Sequence, residues 1–151
     1  MTETVTPLKK EPVISRQTAE TEVNRLFDWY EQDVEFMTQE KRTAMDSFKL
    51  TFIEAVTKGR LEFEESVTPK GMPTFVVKQH LRCGGDFSPI VYSEVNGRAK
   101  IAMKAAKDGD HSGKMHYMMG AMSGLGSGPM GELRGVDMSL MESLSAFFSL
   151  V

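Results

Sequence analysis

Hydrophobic positions in the first sixty residues recur at the spacing of two amphipathic helices. The first helix has an i, i+3, i+4, i+7 pattern, formed by Val23, Leu26, Phe27 and Tyr30. Either Thr18 or Thr21 would cap its start. The second helix follows Thr38, ends at Gly59 and has an apolar side formed by Met45, Phe48, Phe52, Ile53 and Val56. These two helices are expected to pack against each other as a hairpin.

The pattern then changes from a helical period to the alternation of a strand. Leu61 and Phe63 alternate with Glu62 and Glu64, as in a strand with one solvated face. Turn-forming residues at 67–71 separate this strand from a second one at 74–81, so a β-hairpin is predicted. A further short strand is predicted at 90–92.

The remaining sequence favours helices separated by loops. Helices are predicted near 98–107, over 114–122 and over 139–150, and loops over 108–113 and 123–131. Asp137 would cap the last helix or lie in its first turn. The sequence therefore predicts an α+β fold with an N-terminal helical hairpin, a central β-hairpin and a C-terminal helical region containing a flexible Gly/Met-rich linker. Its predicted divisions are a flexible tail (1–16), an α+β core domain (17–110) and a Met/Gly-rich helical C-terminal region (111–151).

Methionine and glycine are concentrated in the last third of the chain. Methionine adapts its shape easily, and methionine-rich surfaces suit variable apolar partners. We therefore predict a partner-binding surface for apolar helices, formed or flanked by Met115, Met118, Met119, Met122, Met138, Met141, Phe147 and Phe148. The alternative is that these methionines fill gaps in a small core, which is their usual role.

Charge, cysteine content and hydrophobicity indicate which partners and which cellular compartment to expect. The net charge is −3 and basic residues are scattered, so neither a nucleic-acid partner nor a membrane surface is expected. The single cysteine, Cys83, excludes an internal disulfide and suits a reducing cytoplasm. The chain lacks an apolar leader and any apolar run near the ~20 residues of a membrane span. A cytoplasmic protein is expected.

Three short motifs suggest a bound nucleotide or metal, and each has a simpler explanation. Gly126–Gly131 matches GxGxxG, but it follows a helical segment, so a linker is favoured over a dinucleotide site. Residues 108–113 match half of an EF-hand loop, but Met119 occupies the position of the bidentate glutamate, which favours a turn. His80, Cys83, His111 and His116 lack a convincing zinc spacing. No cofactor, no metal and no enzymatic activity are therefore predicted.

Six short segments follow one another after residue 70: Gly71 to Phe75, Leu81-Arg82, Met122 to Leu125, Pro129-Met130, Val136 to Met138 and Ser145 to Phe148. Their order resembles that of the small tail assembly chaperones of contractile-tailed phages. The resemblance covers about residues 70–150. The helical pair before residue 60 is longer than in small members of that family, and 98–113 resembles an insertion.

This resemblance implies a non-enzymatic chaperone in the bacterial host cytoplasm. Such a protein binds apolar helical segments of the tape measure protein and recruits tail tube subunits, and weak contacts repeated along one long partner would supply avidity. Self-association into a homo-oligomer stays open. The alternative functions are a structural adaptor in a virion or other multi-protein assembly, and a metal- or nucleotide-dependent regulator.

Overall fold

The computed structural model describes residues 14–32, 34–82 and 84–151. Within these residues the elements follow one another as α1 (Arg16–Trp29), α2 (Gln39–Thr57), β1 (Leu61–Val67), β2 (Pro73–Gln79), β3 (Ile90–Tyr92), α3 (Gly97–Ala102), α4 (His111–Ser123), α5 (Ser127–Gly131) and α6 (Gly135–Leu150). Single turns of 3-10 helix lie at Val34–Phe36 and Met103–Ala105. The α+β class, with N-terminal helices, a central β-hairpin and C-terminal helices, is confirmed.

The three strands form an antiparallel sheet in the order β1-β2-β3. Phe63 lies opposite Val77, which in turn lies opposite Tyr92, so the predicted hairpin and the predicted third strand are both present. One face of the sheet is buried through Leu61, Phe63, Phe75, Val77, Ile90 and Tyr92. The other face carries a cross-strand ion pair between Glu64 and Lys78 at 3.0 Å, and a polar contact of 2.9 Å between the Glu62 carboxylate and His80 Nε2. The solvated sheet face is therefore polar.

The start of one helix agrees with the sequence, and the starts of two others differ. Thr38 Oγ1 accepts a hydrogen bond from the Lys41 backbone N–H and caps α2, as predicted. The helix α4 begins at His111 instead of residue 114, because Asp110 in the predicted loop caps it by accepting from the Gly113 N–H at 2.9 Å. The helix α1 is capped by Ser15, so the prediction of Thr18 or Thr21 is wrong. The predicted tail falls outside the described residues at 1–13, whereas Ile14 is packed against the core.

The prediction of a flexible linker at 123–131 is wrong, because this segment contains the short helix α5. Met130 of this helix is fully buried, and the Gly126 N–H donates to the Gly120 carbonyl at 3.1 Å. The last helix begins at Gly135 instead of residue 139. The helix predicted near 98–107 is instead α3 followed by a 3-10 turn. Tertiary contacts thus fold most of the segment that glycine content marked as flexible.

The centre of the core is an aromatic cluster around Phe147, near the end of α6. Its ring centroid lies 5.2 Å from that of Phe27, 5.6 Å from Phe52 and 6.1 Å from Phe48. Phe148 is adjacent to it at 5.6 Å. Ring pairs at these separations are favourable beyond the area that they bury. The two closing phenylalanines therefore join the C-terminal region to the N-terminal helical hairpin within one core.

A buried polar network fixes the start of α6 against the sheet. The Tyr92 hydroxyl donates to Gln79 Oε1 at 2.8 Å, and the Gln79 amide donates to the Asp137 carbonyl at 2.9 Å. The Asp137 carboxylate accepts from the Arg82 backbone N–H at 2.9 Å. Burial raises the pKa of the Tyr92 hydroxyl above its ordinary value, and the Asp137 charge adds to this effect. Asp137 thus binds the backbone at Arg82, a contact that its predicted place in the first turn of α6 did not indicate.

Candidate functional site: the cleft between α2 and α6

The methionines predicted to contact a partner lie mostly in the core. Four of them are at most 3% exposed: Met118, Met119, Met122 and Met141. Phe147 and Phe148 are fully buried. The prediction of an accessible surface formed by these six side chains is therefore wrong, and they fill the interior. The physical reason is that α4 packs against α3, β3, α5 and α6, which enclose its apolar side chains.

Two of the predicted contact residues keep solvent exposure. Met138 is 38% exposed on α6, and Met115 is half-buried on α4. Met138 follows Asp137 in the sequence but points away from the core into which Asp137 is packed. A single exposed methionine is normal for a soluble fold and does not define a binding surface.

A cleft of about 140 Å³ opens between α2 and α6. Its lining is mainly apolar and is formed by Thr51, Glu54, Ala55, Arg60, Val136, Ser139, Leu140 and Ser143. Ala55 and Leu140 are buried, whereas Glu54, Val136 and Ser139 are exposed. The cleft thus has an apolar interior and a polar rim.

The cleft lies at one end of the contact between α2 and α6. At the other end of this contact, aromatic rings fill the space between the two helices. Phe48 and Phe52 of α2 contact Phe147 near the end of α6. Later positions of α2 line the cleft together with the start of α6, so the two helices run antiparallel. At that end four of the eight lining residues have small side chains, which leave space between the helices: Thr51, Ala55, Ser139 and Ser143. The gap is consequently open to solvent.

Two charged residues lie at the rim of the cleft, and their surroundings differ. Glu54 forms an exposed ion pair with Lys58, one turn along the helix, at 3.2 Å. The Arg60 side chain forms no ion pair with any residue in the described part of the chain. Its backbone is fixed, because the Arg60 N–H donates to Ala55 and its carbonyl accepts from His80. Among the described residues, the rim therefore presents one cation without an ion-pair partner, attached to a backbone that hydrogen bonds hold in place.

The size of the cleft limits what it can hold. Pockets for cofactors and drug-sized ligands usually measure roughly 300–1,000 Å³, several times more than this cleft. An engineered apolar cavity of about 150 Å³ binds benzene, which is comparable to one Leu, Met or Phe side chain. The geometry therefore suits an inserted side chain of another polypeptide better than a cofactor or substrate.

The motifs considered for metals and nucleotides have structural roles where they are described. Asp110 of the half EF-hand caps α4, and His80 contacts Glu62. Among the described residues, no three His, Cys, Asp or Glu side chains are grouped as a metal site would require. The zinc combination that included Cys83 lies partly outside those residues. The GxGxxG string forms the α4–α5 connection and α5, instead of a strand-to-helix turn.

Comparison of the chain with protein family models, with curated proteins and with solved structures finds no match. Among the helices in the described ranges, none has both the length and the apolar character needed to cross a membrane.

Sequence reasoning did not identify the cleft, although a signal for it is present. Ser139 and Ser143 are four residues apart on α6, beside the buried Leu140. Residues four apart lie on one face of a helix, so the two serines place small side chains side by side on the face that borders the cleft. This pattern of serines predicts a cleft only when α2 is known to be the helix that packs against α6.

Proposed function

We propose that this protein is a non-enzymatic tail assembly chaperone that binds apolar helical segments of a phage tape measure protein and recruits tail tube subunits. The observation that carries the proposal is the cleft between α2 and α6, an apolar recess of about the size of one side chain. Recesses of this kind receive single anchor residues in helix-in-groove recognition. The resemblance over residues 70–150 favours the same class of partner.

Neighbouring side chains support contact with a helix at this site. Leu50 lies one helical turn before Glu54 on α2 and is 61% exposed, and Val136 at the cleft is 38% exposed. A partner helix seated in the cleft would remove apolar surface of both residues from water, which is favourable at about 25 cal/mol per Å². A single site of this size gives weak binding, and many copies along one long partner supply the avidity.

The proposal places the protein in the host cytoplasm during assembly, without a cofactor and outside the finished particle. Its test is a pull-down of the full chain with a helical fragment of the tape measure protein encoded in the same genome. Retention of the fragment, together with absence of the protein from purified particles, is the expected result. Stoichiometric copies in purified particles would instead assign the protein as a structural adaptor, and no retention would remove the chaperone function.

A further inference from the structure

We infer that the cleft between α2 and α6 selects a partner helix in which an apolar anchor residue is followed, one helical turn away, by an acidic residue that pairs with Arg60. The inference rests on the proposed function and specifies the chemistry of its partner. It combines two features of one site: an apolar recess that fits one side chain, and a cation at its rim that is not neutralised by the described residues.

The apolar part of the recognition follows from the interior of the cleft. Ala55 and Leu140 form a buried apolar floor, and the small rim residues Ser139 and Ser143 leave the entrance open. A Leu, Met or Phe side chain fits a volume of about 140 Å³. Burial of such a side chain contributes about a tenfold gain in affinity or more.

The acidic part follows from the charges at the rim. Glu54 already has Lys58 as a partner at 3.2 Å, so the attraction between Glu54 and a partner cation is reduced. Arg60 has no such partner among the described residues, and a guanidinium binds carboxylates in a bidentate geometry. Asp137 is close in sequence to the cleft, but its carboxylate is occupied by the Arg82 N–H. Charge complementarity at this end of the cleft therefore favours an anion.

The two features lie next to each other in the fold, because the Arg60 backbone N–H donates to the Ala55 carbonyl at 2.8 Å. Arg60 follows the end of α2, whereas Ala55 lies within its last two turns, and both line the same recess. On a partner helix, residues three or four apart lie on one face and are about 5–6 Å from each other. An anchor and a carboxylate at this spacing can therefore contact the recess and Arg60 together.

Two synthetic helical peptides test the inference with the full chain. Both contain the same Leu anchor, and they differ only in a Glu or a Lys four residues further on. Fluorescence anisotropy at low salt should show that the Glu peptide binds several-fold tighter, by about fivefold at most for an exposed pair. Added salt should reduce this preference.

Two variants and two matched controls separate the parts of the site. Arg60→Glu should reverse the preference between the peptides, and Ser139→Phe should fill the recess and weaken both peptides by about tenfold. Arg98→Glu, an exposed charge reversal on α3, and Ser149→Phe, an exposed aromatic substitution on α6, should leave both affinities unchanged. Circular dichroism verifies that each variant is folded.

Equal affinity of the wild type for the two peptides would overturn the role of Arg60, and unchanged binding by Ser139→Phe would overturn the recess as the site. Self-association of the wild type that Ser139→Phe abolishes would also overturn the inference, because the occupant of the cleft would be a second copy of the chain.

The proposed function has a separate test. A tape measure fragment that binds the wild type and both variants equally leaves the function standing without this site. If the tape measure fragment fails to bind while the two synthetic peptides bind as expected, the proposed function is wrong and the recognition site stands.

Discussion

Gly120 in the last turn of α4 is the position where the fold is expected to tolerate a methyl group least. The backbone of the α4–α5 connection passes directly over it, and the Gly126 N–H donates to the Gly120 carbonyl at 3.1 Å. A Cβ atom added at Gly120 would lie 2.5 Å from the Gly126 carbonyl oxygen and 2.7 Å from the Ser127 nitrogen. Favourable contacts require about 3.5–4.0 Å, so the connection must move by about 1 Å in Gly120→Ala.

The magnitude follows from three opposing effects of Gly120→Ala. Alanine in a helix interior is favoured over glycine by about 1 kcal/mol. Forcing a methyl group into a packed site costs about 1–3 kcal/mol, and loss of the hydrogen bond to Gly126 costs about another 1 kcal/mol. The free energy of unfolding is therefore expected to fall by about 1–3 kcal/mol. For a chain of this length, each kcal/mol lowers Tm by about 2–4 °C.

Urea unfolding followed by circular dichroism measures this change. Gly97→Ala is the matched control, because Gly97 lies in the first turn of α3 and a Cβ there meets no atom within 4 Å. The control should be as stable as the wild type or slightly more stable. Wild-type stability in Gly120→Ala would refute the close approach of the α4–α5 connection to α4, and with it the argument that this glycine-rich segment is packed.

Two further predictions test burial in the core. Met118→Gln should lower the free energy of unfolding by about 2–4 kcal/mol, because it buries an amide without a hydrogen-bond partner. The control Met138→Gln, on the exposed side of α6, should change it by less than about 0.5 kcal/mol. Urea unfolding measures both, and equal effects would contradict the burial of Met118. Burial, with the Glu94 charge, raises the pKa of Tyr30 from 10.0 to about 12, so its contribution to stability is complete below pH 10 and is lost as pH rises toward 12. Urea unfolding between pH 9 and 12 should therefore show a smaller alkaline loss of stability for Tyr30→Phe than for the wild type, and identical losses would contradict it.

The burial of Met118, Met119 and Met122 changes how a binding defect of their variants must be interpreted. These side chains are enclosed by neighbouring elements, so their replacement by glutamine acts first on stability. Loss of partner binding in such variants would not locate a contact surface. Substitutions at the exposed Ser139 and the half-buried Arg60, both at the cleft, test binding without opening the core.

Local sequence patterns were sufficient for the elements whose structure depends on near neighbours. The apolar stripe with Val23, Leu26 and Phe27 identified α1, and the alternation of Leu61 and Phe63 identified β1. Periodicity reports which side of an element is apolar, and capping residues report where a helix begins. The α+β class follows from these short-range signals, which act within a few residues.

The sequence therefore determined the succession of helices and strands, apart from the short helix α5, and the apolar face of most of them. The tertiary structure alone decided that the C-terminal methionines lie inside, because composition does not distinguish a methionine that fills a core from one that covers a surface. It also decided that Asp137 reaches Arg82, and that Ala55 faces Ser139 and Ser143 across a cleft. These contacts join residues more than fifty positions apart, and their existence depends on the packing of whole helices, which no local pattern specifies.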